Sequence, residues 1–377
     1  MPPFVIHWGI IGCGWISGEF VKDISIQRDD VTDVYHAIAA VGSRDVSKAQ
    51  TFIESHCPAG ANGQQKGLTD VRPEACGSYD DVYNHPSVDI IYIGTPNTAH
   101  FSDAKAALEA GKHCLVEKPA CLNAKQWDCL SGLAKSKNLF LMEGMWSRFF
   151  PIADVLVQKL HHERVLGDLK FVQSDLSMPF YNLLPDTHRT IAMEYAGGPL
   201  YDLGPYILLA PLWLLFRDPK NERTRPSQVT GHMLKARTGV DLSTSVTLSF
   251  DRLGAVAVGT TSFAYATSKE TKVTIVGDKG EVIVHDGPNN WTKITIRRHE
   301  PGESWYQPRW LPEETIEMPV GGGFGLIFEA NAVARSIRDG QIENERMPHV
   351  ETRLALEIIN EVQKQGGYKL PAGLEKM

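Results

Sequence analysis

Apolar and polar positions alternate along this chain in two different textures. Through the first third, short continuous apolar runs alternate with stretches of helical spacing. "HWGIIG", "AIAAVGS", "SVDIIYIGTP" and "HCLVEKP" predict strands, while "WISGEFVKDIS", "DVSKAQTFIESH" and "TAHFSDAKAALEAGK" predict helices, the second capped by Asp45 and the third closed by Gly111. Strands without alternation, each followed by a helix, imply a parallel sheet covered on both faces. From about Lys170 the pattern changes to one-face alternation: Val246, Leu248, Phe250; Val273, Ile275; Ile294, Ile296. Turn signals such as "GDKGE" separate these runs, so an antiparallel sheet with one side in a core is expected. The chain closes with two helical stretches, "GLIFEANAVARSIRDG" and "HVETRLALEIINEVQKQGG". The expectation is an α/β chain of two domains. Residues 1–145 form a doubly wound domain, and residues 146–377 form an α+β domain.

Composition narrows the class. At 377 residues two domains are the natural expectation. A formal charge of −7 argues against nucleic acid or an anionic membrane as the main partner. "MPPFVIHWGII" lacks a basic region followed by a long apolar one, so no signal peptide is expected. The most apolar run, Leu203–Phe216, is too short to span a bilayer and holds two prolines; it reads as a buried helix. Six cysteines without a CxxC pair read as reduced thiols, a cytoplasmic location is expected, and no metal-ligand spacing stands out. The segment from Ser55 to Gly77, rich in Gly, Pro, Gln and Asn, reads as a surface loop.

The candidate chemistry gathers where strands end. Gly12-Cys13-Gly14-Trp15-Ile16-Ser17 is a G-x-G-x-x-S form of the dinucleotide fingerprint, after a strand and at the start of a helix. Gly12 permits the tight turn, Gly14 lets a pyrophosphate approach bare N–H groups, and small Ser17 allows close helix–sheet packing. At the end of the second strand an NAD enzyme usually carries an acid for the ribose 2′-hydroxyl. Here Ser43 and Arg44 stand there, with Lys48 one helical turn on and Asp45 assigned to the helix cap, a set that favours a 2′-phosphate and hence NADP over NAD. Thr95, Pro96, Asn97 and His100 follow the next strand and should border the cofactor; His100 could equally cap its helix. Lys118 leaves a further strand between Glu117 and Pro119. A lysine in that crevice can bind the ribose, polarise a substrate oxygen and favour deprotonation of a neighbour. Pro119 fixes the backbone there, and a cis Lys–Pro bond is possible. In "GGPLYDLGPYILL", Asp202 and Tyr206 lie four apart, on one face of a helix. A phenol ordinarily titrates near 10, so Tyr206 needs a cation such as Lys118 to shuttle a proton near neutrality.

Together, "GIIGCGWIS", "EKP" at Glu117–Pro119 and "GGPLYDLGPY" at Gly197–Tyr206 resemble, in order, the signature regions of the glucose–fructose oxidoreductase/inositol dehydrogenase (Gfo/Idh/MocA) family. "LFLMEGMWSRFFP" narrows the resemblance to the branch holding dimeric dihydrodiol dehydrogenase and NADP-dependent D-xylose 1-dehydrogenase. The resemblance implies a Rossmann domain, then an open, mostly antiparallel sheet that pairs subunits into a homodimer. It implies Lys118, Asp202 and Tyr206 as the catalytic set and Trp146 as a wall of the substrate pocket, with Arg148 and Phe149 beside it and Phe180 as a second apolar wall. The implied activity is hydride transfer between NADP and a sugar or polyol, first an aldose of the D-xylose type, then a trans-dihydrodiol or a keto-sugar. The fold also hosts nucleotide-sensing regulators that turn nothing over. Pro199 and Pro205 depart from the family pattern, as does the length of the 55–77 loop.

Overall fold

The computed structural model describes residues 2–26, 28–57, 72–268, 272–304 and 307–375. Most of the loop expected over 55–77 thus lies outside the described residues. The chain divides into two compact units: Met1–Phe149 with Val320–Arg353 and Leu374–Met377, and Phe150–Pro319 with Leu354–Gly373.

The first unit carries the alternating strands and helices. β1 (Phe4–Ile11), α1 (Trp15–Ile24), β2 (Val34–Gly42), α2 (Val46–His56), β3 (Glu74–Cys76), α3 (Tyr79–Tyr83), β4 (Ile90–Ile93), α4 (His100–Glu109), β5 (His113–Glu117), α5 (Ala124–Lys137) and β6 (Leu141–Gly144) follow in turn. The strands form one parallel sheet in the order β3-β2-β1-β4-β5-β6, so the winding reverses between β1 and β4. In such a sheet the crevice for a ligand opens beyond the carboxyl ends of those two strands. Asp45 caps α2 by accepting from the Ser47 amide at 2.9 Å, and Gly111, at φ +84°, ends the turn after α4. The late segment Val320–Arg353 returns to this unit, and its helix Leu326–Arg338 packs on α1, β1 and β2. Asp23 of α1 fixes that return by accepting from the Phe324 and Leu326 amides at 2.9 and 2.8 Å. His36 adds a buried tie: Trp8 donates to its Nδ1 (3.1 Å), so its other nitrogen donates to Asn331 Oδ1 (2.9 Å). That pattern is the neutral imidazole, and burial lowers the His36 pKa to about 4.

The second unit contains α6 (Pro151–Val157), β7 (Leu169–Ser177), α7 (Pro199–Asp202), α8 (Gly204–Ile207) and β8–β15 (Gln228–Lys235, Asp241–Phe250, Ala255–Ser262, Val273–Gly277, Gly280–Val284, Lys293–Ser304, Gln307–Trp310, Glu314–Glu317). The two late helices are α9 (Leu326–Arg338, in the first unit) and α10 (His349–Gln365), which runs through the division. The sheet has nine strands in the order β14-β13-β12-β11-β7-β10-β9-β8, with β15 on β13; only β7 and β10 pair in parallel. Val246, Leu248, Phe250, Val273, Ile275, Ile294 and Ile296 are all buried, as their alternation required. Each such side chain contributes roughly 1.5–3 kcal/mol. The opposite face carries the half-buried Ser243, Ser245, Thr247, Val258 and Thr260. All six cysteines are free thiols.

The apolar stretch Met193–Phe216 is long and apolar enough by length and composition to cross a membrane, yet 94% of its most apolar window is buried inside the fold. It is not one regular helix. Pro205 lacks an N–H, so the helix interrupts at Leu203 (φ −111°) and resets. The residues from Pro211 to Phe216 are wound as a π-helix.

Candidate active site

The first group of candidate residues lies on the loops beyond β1, β2, β4 and β5. Gly12 has φ +83°, and a Cβ there would stand 2.6 Å from the Gly94 carbonyl group, so only glycine lets the β1 turn lie against the end of β4. Gly14 differs: its backbone is extended, and a Cβ on it would meet nothing within 4 Å. Open space therefore faces the start of α1, whose cap makes no side-chain hydrogen bond and whose first turn holds no acid. Uncapped amides at a helix N-terminus suit a phosphate. Trp15 is exposed, Ile16 is half-buried, and Ser17 is buried against Gly94. At the end of β2, Ser43 is buried and donates its amide to the Cys76 carbonyl, while Arg44 and Lys48 project into solvent with no carboxylate partner among the described residues. Asp45 is occupied by the α2 cap, accepting from both the amide and hydroxyl of Ser47.

Beyond β4, the Thr95 hydroxyl donates to Asp103 at 2.7 Å; Pro96 is exposed and Asn97 half-buried. His100 is buried, with one ring nitrogen 2.8 Å from the Thr95 carbonyl and the other 2.9 Å from that of Pro119. Its ring thus ties the loop after β4 to the turn after β5. That turn carries Glu117, half-buried Lys118 and Pro119, and the Lys118–Pro119 bond is cis. Glu117 accepts from the Tyr92 hydroxyl at 2.6 Å and from the Lys118 amide at 3.3 Å, while Glu143 accepts from the Ala120 amide at 2.9 Å. The lysine's backbone is thus held on both sides.

Trp146, Ser147, Arg148 and Phe149 form a short 3₁₀ turn after β6. The Arg148 guanidinium lies in the interior, donating to Glu351 at 2.5 Å and to the Arg346 carbonyl at 2.9 Å. Trp146 and Phe149 are largely buried. Phe324 escaped the sequence reading. It stands edge-on to Trp146 (6.2 Å between ring centroids) and to Trp15 (5.4 Å), joining the glycine loop to the tryptophan turn. The glycine run "VGGGFG" that presents it was the visible signal.

A second group of candidate residues lies in the second unit. Asp202 ends α7 half-buried, and Tyr206, in α8, is 6% exposed. α7 is anchored by Asp241, which accepts from the Leu200 amide at 2.9 Å and the Thr244 hydroxyl at 2.7 Å. Burial raises its pKa to about 6 against those hydrogen bonds. The Tyr368 hydroxyl donates to the Gly197 carbonyl at 2.8 Å. Neither anchor carries a sequence motif. Phe180 packs on Phe263, 5.3 Å between ring centroids. Among the described residues no group of three or more His, Cys, Asp or Glu could hold a metal ion.

A sheet wound this way, with a bare helix start beyond its switch point, defines a Rossmann fold of the dinucleotide-binding type. Residues 6–145 match the family model "Oxidoreductase family, NAD-binding Rossmann fold" and residues 155–283 match the GFO/IDH/MocA C-terminal domain; the chain belongs to the Gfo/Idh/MocA oxidoreductase family. It is 31% identical to D-xylose 1-dehydrogenase (NADP(+)) of Hypocrea jecorina, over 98% of this chain and 94% of that one. It is 28% identical to trans-1,2-dihydrobenzene-1,2-diol dehydrogenase of Xenopus tropicalis, over 97% and 99%. In fold it is similar to an aldose-aldose oxidoreductase from Caulobacter crescentus complexed with glycerol (TM-score 0.73, 21% identity, 96% and 97% covered). A 3-ketoreductase from Actinomadura kijaniata, in complex with NADP and TDP-benzene, gives a TM-score of 0.75 at 19% identity, with 97% and 98% covered.

Proposed function

We propose that the protein is a cytoplasmic, homodimeric, NADP-dependent dehydrogenase that oxidises C1 of an aldopyranose such as D-xylose to the lactone. The observation that carries the reading is the retention of a restrained Lys118 at the end of β5 together with Asp202 and Tyr206, since a nucleotide sensor needs the glycine loop but no proton-transfer set. Preference for NADP is supported by Arg44 and Lys48, both without a carboxylate partner among the described residues, and by the diversion of Asp45 into a cap. The relative named D-xylose 1-dehydrogenase (NADP(+)) supports the same choice.

NADP, when bound, supplies the nicotinamide carbon that accepts hydride. The bare amides at the start of α1 bind the pyrophosphate, and Arg44 with Lys48 bind the 2′-phosphate. Tyr206 takes the proton of the substrate hydroxyl as the hydride leaves the carbon that bears it, and the Lys118 ammonium favours the phenolate. Asp202 orients the sugar, and Trp146, Phe149 and Phe180 supply apolar walls. Arg148 is assigned to the scaffold, because its guanidinium is engaged with Glu351. Dimerisation through the second unit's sheet is supported by the small, half-buried residues of its outer face.

The test is NADPH formation over a panel of aldoses, dihydrodiols and keto-sugar alcohols, with Tyr206→Phe alongside. D-Xylose or a related pyranose should give the highest kcat/KM, and Tyr206→Phe should lower turnover by about 10²–10⁴-fold. Silence across the panel with tight NADP binding would replace the dehydrogenase by a sensor.

A further inference from the structure

Three aromatic rings meet at the carboxyl edge of the first unit's sheet, and neither the family motifs nor the hydride-transfer reading uses the middle one. Trp15 opens α1 straight after Gly14, and Trp146 opens the 3₁₀ turn after β6. The strands they follow, β1 and β6, are three apart in the sheet order, a span of about 14 Å. Phe324 stands between the two indoles. Its ring is edge-on to Trp15, at 82° and 5.4 Å between centroids, and edge-on to Trp146, at 80° and 6.2 Å. Edge-to-face contact is the geometry that ring quadrupoles favour, and it occurs here twice in succession.

The segment that carries Phe324 is fitted closely to deliver it. α9 runs against the strands: Asn331 reaches His36 near the amino end of β2, and Arg335, one turn further on, pairs with Asp33 just ahead of that strand. The start of α9, with Phe324 before it, therefore lies toward the carboxyl ends, and α9 also packs on the turn of Trp146. Gly323 approaches α1 so closely that a Cβ on it would collide with the Asp23 carboxylate. That same carboxylate accepts from the Phe324 and Leu326 amides, and Gly325, at φ +83°, turns the chain into α9. The backbone of Phe324 is thus pinned while its ring reaches outward. Trp15 is 66% exposed and Phe324 40%, so burial is a minor part of what their contact contributes. Its larger effect is to restrict the exposed Trp15 indole and to brace one side of the buried Trp146.

We propose that Phe324 is a positioning residue that joins the cofactor loop to the sugar wall. By bracing Trp15 it steadies the first turn of α1, whose bare amides receive the pyrophosphate. By bracing Trp146 it sets the wall that the sugar meets. The inference rests on the proposed roles of that helix start and of Trp146, and Phe324 acts through the two tryptophans.

Two double-mutant cycles in the full-length protein test it. One pairs Phe324→Ala with Trp15→Ala and reads the NADPH dissociation constant, without turnover, from nicotinamide fluorescence excited directly. The other pairs Phe324→Ala with Trp146→Ala and reads the KM for the best aldose of the panel. Phe324→Ala should raise each constant by about 2–10-fold, the worth of an edge-to-face pair, while kcat changes less. Each tryptophan variant alone should do at least as much, and adding Phe324→Ala to it should do nothing further. Phe324→Tyr should keep both constants. If Phe324→Ala does not fold, Phe324→Leu, which keeps bulk without a ring, takes its place in both cycles. Multiplicative effects in either cycle, an unchanged constant in Phe324→Ala, or a loss in Phe324→Tyr equal to that in the alanine variant would overturn the inference. Wild-type NADPH binding in Trp15→Ala, or a wild-type sugar KM in Trp146→Ala, would instead remove the parent reading of that tryptophan, and this role with it.

Discussion

The candidate residues of the two units are held in place over very different distances along the chain. In the first unit, the turn of Lys118 is fixed by Tyr92 on Glu117 and by Glu143 on the Ala120 amide, partners 25 and 23 residues apart. In the second, the broken helix of Tyr206 hangs on Asp241, 41 residues from Leu200, and on Tyr368, 171 residues from Gly197. A parallel sheet delivers its site locally, because each strand ends where the next loop begins. The antiparallel unit has no such rule, and a buried acid and a late tyrosine do the placing.

The largest effects should separate proton transfer from cofactor contact. Tyr206→Phe should cost about 10²–10⁴-fold in kcat while leaving the NADP dissociation constant unchanged. Lys118→Met should lower kcat at least as far and also weaken NADP, since that side chain belongs to the nucleotide unit. Stopped-flow turnover with fluorescence titration reads both, and equal NADP weakening in the two variants would erase the division of labour.

One buried group in each unit should also contribute to stability with opposite pH dependence. His36 ordinarily titrates near 6.5 but folds at about 4, so it leaves stability intact above pH 6.5 and subtracts from it as pH falls through 6.5 toward 4. Asp241 ordinarily titrates near 3.8 but folds at about 6, so its contribution is greatest below pH 4 and is lost as pH rises toward 6. Each change is worth about 3 kcal/mol at most. Hydrogen exchange between pH 4 and 6.5, corrected for intrinsic rates and read around each residue as the difference between wild type and variant, should show the contribution of His36 growing and that of Asp241 shrinking as pH rises. His36→Gln is the variant for the first and Asp241→Asn for the second.

A smaller change sharpens the nucleotide half alone. Arg44→Ala with Lys48→Ala should raise the KM for NADP by roughly 10–100-fold, the worth of a hydrogen bond to a charged group, and leave that for NAD within a few fold. Equal weakening of both cofactors would contradict a 2′-phosphate site.

Much of the first unit was legible because its chemistry is written in contiguous residues. The Gly12–Ser17 run, the Asp45 cap and the strand preceding Lys118 each combine a periodicity with a turn signal. The alternation of Val246, Leu248 and Phe250 likewise marked a one-faced strand. Three features were not legible. Pro205 breaks the expected helix, because a missing N–H outweighs an apolar run that otherwise favours continuity. Arg148 reads as a pocket residue beside Trp146, yet it folds inward onto Glu351, a pairing 203 residues distant that no local pattern encodes. Phe324 comes from a segment that reads as an ordinary amphipathic helix after glycines, and only the return of that segment to the first unit gives it its neighbours.

The central claim is tested most directly by following deuterium from D-[1-²H]xylose to the nicotinamide ring of NADP in the wild-type protein by proton NMR. The account predicts label at C4 of the NADPH formed, in step with lactone release, and neither in Lys118→Met. Tight NADP binding with no label transferred from xylose or any other sugar in the panel would contradict it.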